Sequence, residues 1–124
     1  MKENLIQFFD RFAQDFKSFD GEVIANRYFV PYTSISSDKS VSLYKELKDI
    51  ELYFSAILAD YKKQDVAYCT YNNFEFSAIG QKSALATMDW NMMQADGTLV
   101  TSWRESYVLI LNNEKWEIVT SIDH

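Results

Sequence analysis

The last third of the chain, KSALATMDWNMMQADGTLVTSWRESYVLILNNEKWEIVTSIDH (Lys82–His124), decides the fold. Apolar and polar side chains alternate there with a period of two, in a stretch rich in Trp, Tyr, Val, Ile and Thr, which is how strands with two distinct faces read. Asp96-Gly97 separates two of the alternating runs, and a two-residue turn with positive φ at both positions favours that pair. With such a turn Ala95 faces Thr98. The ladder then sets Trp90 opposite Trp103, Asp89 opposite Arg104, Met88 opposite Glu105 and Ala86 opposite Tyr107. Two aromatic residues meet on one face and two opposite charges on the other, pairings worth roughly 0.2–1 kcal/mol each. A second turn at Asn112-Asn113-Glu114-Lys115 places Leu111 opposite Trp116, Leu109 opposite Ile118, Tyr107 opposite Thr120, Glu105 opposite Ile122 and Trp103 opposite His124.

Continued along the strands, this register separates two faces. One carries Ala84, Ala86, Met88, Trp90 and Met92, then Thr101, Trp103, Glu105, Tyr107 and Leu109, then Trp116, Ile118, Thr120, Ile122 and His124; it is apolar apart from Glu105 and His124. The other, with Asp89, Arg104, Ser106, Ser121 and Asp123 among Val100, Val108, Ile110, Val119 and Met93, is mixed. The first is expected to be covered, and the second to meet solvent or a second copy of the chain.

Upstream the period is helical. Leu5, Phe8, Phe9, Phe12, Phe16 and Phe19 form one stripe of a helix over Glu3–Phe19. Asp20-Gly21 is expected to end it, with Gly21 supplying the left-handed residue and Asp20 capping a short second helix that runs through Tyr28 and Phe29. Pro31 closes that helix, and Tyr32–Ile35 reads as a short strand before a polar loop at Ser36–Lys39. Leu47, Ile50, Tyr53, Phe54, Ile57, Leu58 and Tyr61 mark a third helix. From Val66 the period drops to two, Asn72-Asn73 interrupts it as a bulge would, and Gly80 begins the turn into the quoted segment. Helices followed by a long antiparallel sheet make an α+β domain spanning 1–124, in which the N-terminal helices must cover the apolar face of the sheet.

Composition narrows the chemistry. The chain has 124 residues, 16% of them aromatic, with 3 Gly, 1 Pro, 1 Cys and 1 His. A Gly-rich phosphate loop, a disulfide framework, a Cys-based zinc site and a multi-histidine metal centre are all excluded, so no cofactor and no metal is expected. A net charge of -6 opposes binding to a phosphate backbone, so nucleic acid is not an expected partner. No 18 apolar residues run together to cross a membrane, Met1-Lys2-Glu3-Asn4 lacks the basic start of a secretory signal, and the lone Cys69 suits a reducing compartment. The expected location is the cytoplasm.

The order of elements, with the tail Trp90…Asp96-Gly97…Trp103-Arg104-Glu105-Ser106-Tyr107…Trp116-Glu117-Ile118…His124, resembles the nuclear transport factor 2-like superfamily over nearly the whole chain. The resemblance implies a cone-shaped α+β barrel with a ligand-binding pocket, commonly paired as a homodimer through the outer sheet face. The superfamily includes ketosteroid isomerase, scytalone dehydratase and polyketide cyclases as well as uncharacterised members. The tyrosine and two-aspartate site of the isomerase and the His and Asp pair of the cyclase match no motif here, so no catalytic residue carries over.

The residues themselves supply the candidates. Glu105 is a carboxylate on the covered face, where burial raises a carboxyl pKa toward the range useful for proton transfer, and His124 faces the same patch as its candidate acid-base partner. Trp90, Trp103, Tyr107 and Met88 on that face, with Tyr28, Tyr32 and Tyr53 from the preceding elements, are the expected ligand contacts, since an inward Tyr keeps a hydroxyl that needs a partner. Cys69 reads as a buried thiol and Asp89–Arg104 as a surface ion pair. Three functions stay open: a homodimeric binder of a small apolar or aromatic molecule, an isomerase, dehydratase or cyclase using Glu105 with His124 or a Tyr, and a protein-interaction module.

Overall fold

Helix α1 (Lys2–Asp15) buries Leu5, Phe8, Phe9 and Phe12, the residues whose spacing predicts it. It stops short of the end of the Phe stripe. Phe16–Ser18 tighten into a single 3-10 turn, and the left-handed residue is Phe19, at φ 50°, not Gly21. Gly21 opens helix α2 (Gly21–Ala25) behind Asp20, whose carboxylate accepts the Glu22 N–H at 2.9 Å. Its missing side chain serves packing: a Cβ there would stand 2.4 Å from Ser55 Oγ and 2.5 Å from the Glu51 carbonyl oxygen of helix α3 (Leu47–Lys63). A computed structural model of the chain describes residues 1–124.

Strand β1 (Tyr28–Ile35) begins earlier than expected and takes Tyr28 and Phe29 from the second helix. Pro31 has no N–H to offer a helix and biases the residue before it toward extended backbone, so the chain leaves α2 before Tyr28. A strand absent from the sequence reading follows. β2 (Val41–Tyr44) folds back on β1 through a turn in which Asp38 accepts the Ser40 N–H at 2.9 Å. Only four residues long, it offers too little alternation to be read. The sheet is completed by β3 (Val66–Ile79), β4 (Ser83–Gln94), β5 (Leu99–Asn112) and β6 (Lys115–Asp123). The order is β2-β1-β6-β5-β4-β3, parallel only between β1 and β6, and the sheet curves round the helices without closing.

The β4–β5 register matches expectation at Trp90↔Trp103, Asp89↔Arg104, Met88↔Glu105 and Ala86↔Tyr107, although the turn does not. The Gln94 N–H donates to Thr98 O, so the loop has three residues, and of Asp96 and Gly97 only Gly97 has positive φ, at 89°. Val100 then bulges between the pairs Met93↔Leu99 and Met92↔Thr101, and the two departures cancel. Asn73, at φ 55°, sits in the expected β3 bulge.

The β5–β6 ladder holds only as far as Leu109↔Ile118. Val119 is inserted there, and beyond it Val108 faces Thr120, Tyr107 faces Ser121 and Glu105 faces Asp123. Because the side-chain period is two, one inserted residue exchanges the faces of everything after it. Ser121 and Asp123 turn inward, and Thr120, Ile122 and His124 turn outward. β6 serves two neighbours at this point. Ile118 donates its N–H to Arg27 O, and the pairing with β1 also breaks between Tyr28 and Thr33, where Pro31 has no ladder donor.

The core lies between α1, α3 and the inward sheet face. Phe9, fully buried, has its ring centroid 5.2 Å from that of Tyr107 and 6.5 Å from that of Trp90, while Ala84, Ala86, Met88, Leu109 and Ile118 fill the floor.

Candidate functional site

At the end of the core nearest the tip of β6, the packing leaves a cavity of about 80 Å³ lined by Phe12, Phe16, Tyr28, Tyr32, Ser34, Tyr53, Phe54, Glu105, Tyr107, Ser121 and Asp123. It opens beside Tyr53, whose side chain reaches solvent. Glu105 is its chemical centre. Strand β5 aims it inward from the same face as Tyr107. The Trp103 indole N–H donates to Glu105 Oε1 at 2.8 Å, and the hydroxyls of Tyr107 and Ser121 lie within hydrogen-bonding reach of the carboxylate. Burial pushes the Glu105 carboxyl up to about 7, and the facing Asp123 carboxyl pushes it the same way; the three donors act in the opposite direction, and burial prevails. Asp123, across the ladder and within hydrogen-bonding reach of Glu105, is also raised, chiefly by burial. Two carboxyls in one cavity titrate as a pair.

The hydroxyls around them are ordered. Trp90 donates its indole N–H to Tyr107 Oη at 2.8 Å, and Tyr32 shares a short hydrogen bond with Ser121 Oγ. Burial raises the phenols of Tyr28, Tyr32 and Tyr107 above their ordinary value and pushes Tyr53 to about 12, so all are neutral donors and acceptors at physiological pH.

Of the residues singled out from sequence, Glu105, Tyr107, Tyr28, Tyr32 and Tyr53 line this cavity. Trp90 and Met88 lie behind its wall in the core; the Trp90 ring packs on Phe12, Phe16 and Tyr71. Trp103 stands just outside and acts through its hydrogen bond. His124 is elsewhere. The Val119 bulge sends it to the outer face, where its Nε2 lies 2.7 Å from Ser106 Oγ, which in turn bonds Thr87. It does not meet Glu105. Asp123 holds the place expected for its neighbours, and Ser121 with it. Regular alternation assigned both to the outer face, and no signal in Ile118-Val119-Thr120 marks the inserted residue.

A second and larger concavity, about 550 Å³, lies at the opposite end of the sheet between α1 and the β5–β6 turn, with Phe8, Arg11, Arg27, Lys115 and Trp116 on its walls. It is an open cleft with mostly exposed polar lining, and the converging ionisable groups are in the smaller, more enclosed one. Cys69 is buried near Ala13 O, with its thiol pushed up to about 12 by burial, which leaves it unreactive. No three His, Cys, Asp or Glu side chains come together as metal ligands, and no helix is long and apolar enough to cross a membrane.

No curated protein matches the chain in sequence. Solved structures are similar in fold. Aln2 from a Streptomyces species superposes with a TM-score of 0.78 at 10% identity, covering 97% of this chain and 86% of that one. The yeast UBP3-associated protein BRE5 gives a TM-score of 0.74 at 17% identity, covering 97% and 92%. An NTF-2 like protein of unknown function from Shewanella oneidensis gives 0.73 at 10% identity, covering 98% and 97%. At such identities the likeness concerns the fold alone, a curved sheet round N-terminal helices. Sequence reaches further in one respect: the model of a single family, described as NTF2-like protein (DUF6841), matches residues 2–124, and the chain belongs to that family.

Proposed function

We propose that the chain binds a small molecule at the open end of the cone, with the molecule's polar end held by Glu105. One observation carries this reading: a carboxyl that the Trp103 indole N–H orients projects into an aromatic cavity that reaches the surface. A group so placed recognises something, since a purely structural carboxylate is better served in water. At about 80 Å³ the cavity takes an end group, roughly two or three waters in size, and the apolar or aromatic remainder lies toward Tyr53 and the exterior.

A second reading is favoured by one number. A carboxyl that titrates near 7 is divided between acid and base at neutral pH, the condition for general acid-base catalysis, so an isomerase, dehydratase or cyclase step at a carbonyl-bearing ligand is the alternative. His124 has no part in it. In both readings the working unit is proposed to be a homodimer joined through the outer face, where Met93, Val108 and Ile110 are only partly covered. Native mass spectrometry together with a binding screen of flat, carbonyl-bearing compounds against wild type and Glu105→Gln tests these points together. A dimer whose ligand affinity depends on Glu105 supports the binding reading, and turnover lost in the variant promotes the enzyme. Binding indifferent to Glu105 removes both.

A further inference from the structure

The cavity holds an unbalanced charge. Its eleven lining residues include two carboxyls, four phenols and three phenyl rings, but no Lys, Arg or His. Four acids outside the cavity have cations beside them: Asp15 has Arg27, Glu51 has Lys48, and Glu75 and Asp89 share Arg104. Glu105 and Asp123, which face each other across the ladder and line the cavity, form no ion pair with a Lys or Arg. Tyr28 adds an independent sign. It is 3% exposed, lines the same cavity, and its hydroxyl has no hydrogen-bonding partner in the protein, whereas the Tyr32 and Tyr107 hydroxyls are held by Ser121 and Trp90. No side-chain nitrogen or oxygen fully cut off from solvent lacks a partner, so this hydroxyl reaches the cavity space.

We infer that the end group this cavity takes is a primary ammonium, held by Glu105, Asp123 and Tyr28 and enclosed by the surrounding rings; the inference rests on the reading that the cavity binds a small molecule. A primary ammonium has three N–H donors and no acceptor, and the cavity offers two carboxyls and the buried, unused phenol oxygen of Tyr28. The other unpaired phenol, Tyr53, stands at the exposed rim. Rings that face a desolvated cation attract it through their electron-rich faces. A –CH2–NH3⁺ head fits the volume of two or three waters with its stem leading out past Tyr53. A quaternary ammonium has no N–H to donate, a carboxylate would meet two like charges, and a neutral carbonyl would leave the acid pair uncompensated.

The test is a titration of the wild-type chain with n-butylammonium, 1-butanol and butyrate, read at the indole N–H resonance of Trp103, which reports directly on Glu105. The inference expects saturable binding of n-butylammonium at least about tenfold tighter than of the other two, a difference of about 1.4 kcal/mol or more. Glu105→Gln is expected to remove that preference. Tyr28→Phe, which keeps the ring and the packing, is expected to weaken the ammonium several-fold with 1-butanol unchanged, and it serves if the Glu105 variant folds poorly. Equal or tighter binding of 1-butanol or butyrate would overturn the ammonium while leaving a small-molecule site. Absence of binding by all three would overturn it as well, and a negative carbonyl screen beside it would remove the small-molecule reading too.

Discussion

Two carboxylates on adjacent strands, Glu105 and Asp89, lie on opposite faces of one sheet and experience opposite environments. Asp89 lies on the outer face, where the Asn73 amide at 2.7 Å and the Arg104 guanidinium at 2.9 Å hold its carboxyl below the ordinary range. Glu105 lies on the inner face, where burial lifts its carboxyl to about 7 despite the donors that reach it. Both are hydrogen-bonded, and neighbour count alone does not separate them. What differs is the sign of the nearest charge and the presence of water: a guanidinium and solvent outside, a second carboxyl and aromatic rings inside. An outward acid in this sheet is an element of structure, whereas an inward one is costly to keep ionised and is available for chemistry.

The comparison can be tested at four strengths. The largest effect belongs to the inner face itself: Phe9→Ala, at the fully buried ring that joins α1 to Tyr107 and Trp90, is expected to cost about 3–5 kcal/mol in chemical denaturation. Next comes the pH dependence of Glu105. From about pH 4.5 to about 7 the native state retains a proton that the unfolded chain has released, so stability falls as pH rises through that window, by up to about 3 kcal/mol. Glu105→Gln removes that slope, and above pH 7 the variant is expected to be the more stable protein. A wild type that gains stability over this range relative to the variant would contradict the inner environment described here. Third, Trp103→Phe deletes the donor to Oε1 and is expected to raise the Glu105 carboxyl by about one further pH unit, read from a carbon NMR titration of its side chain. The smallest change is outside. Arg104→Ala is expected to let the Asp89 carboxyl rise toward its ordinary value while altering the denaturation midpoint no more than a surface control does, and high salt is expected to erase the difference.

Legibility in the sequence followed the same division. Trp90, Trp103, Asp89 and Arg104 announced their own register, because a cross-strand pair carries chemical meaning on both faces, and Glu105 was placed inward from that hairpin alone. The helical stripes were equally plain. Hidden were the features set by contacts distant in sequence: β2, four residues long and ordered by β1; Gly21, required by Ser55 and Glu51 of another helix; and the Val119 bulge, where β6 answers to two strands at once. The candidate site was therefore legible as to its first acid and four of its tyrosines and misread as to its second acid, because Asp123 and His124 are adjacent and one residue of phase decides between them.

The Val119 insertion also bears on how such a pocket changes over time. Substitution replaces one cavity group at a time, but a regular ladder with Val119 kept and paired to Val108 would set Thr120 opposite Tyr107 and Ile122 opposite Glu105. It would so present Thr120, Ile122 and His124 to the interior in place of Ser121 and Asp123, whereas deletion of Val119 would leave Ser121 and Asp123 where they are. Whether Val119 is bulged or paired is thus a switch of pocket chemistry, from acid to imidazole, with every cavity residue on the other strands left as it was.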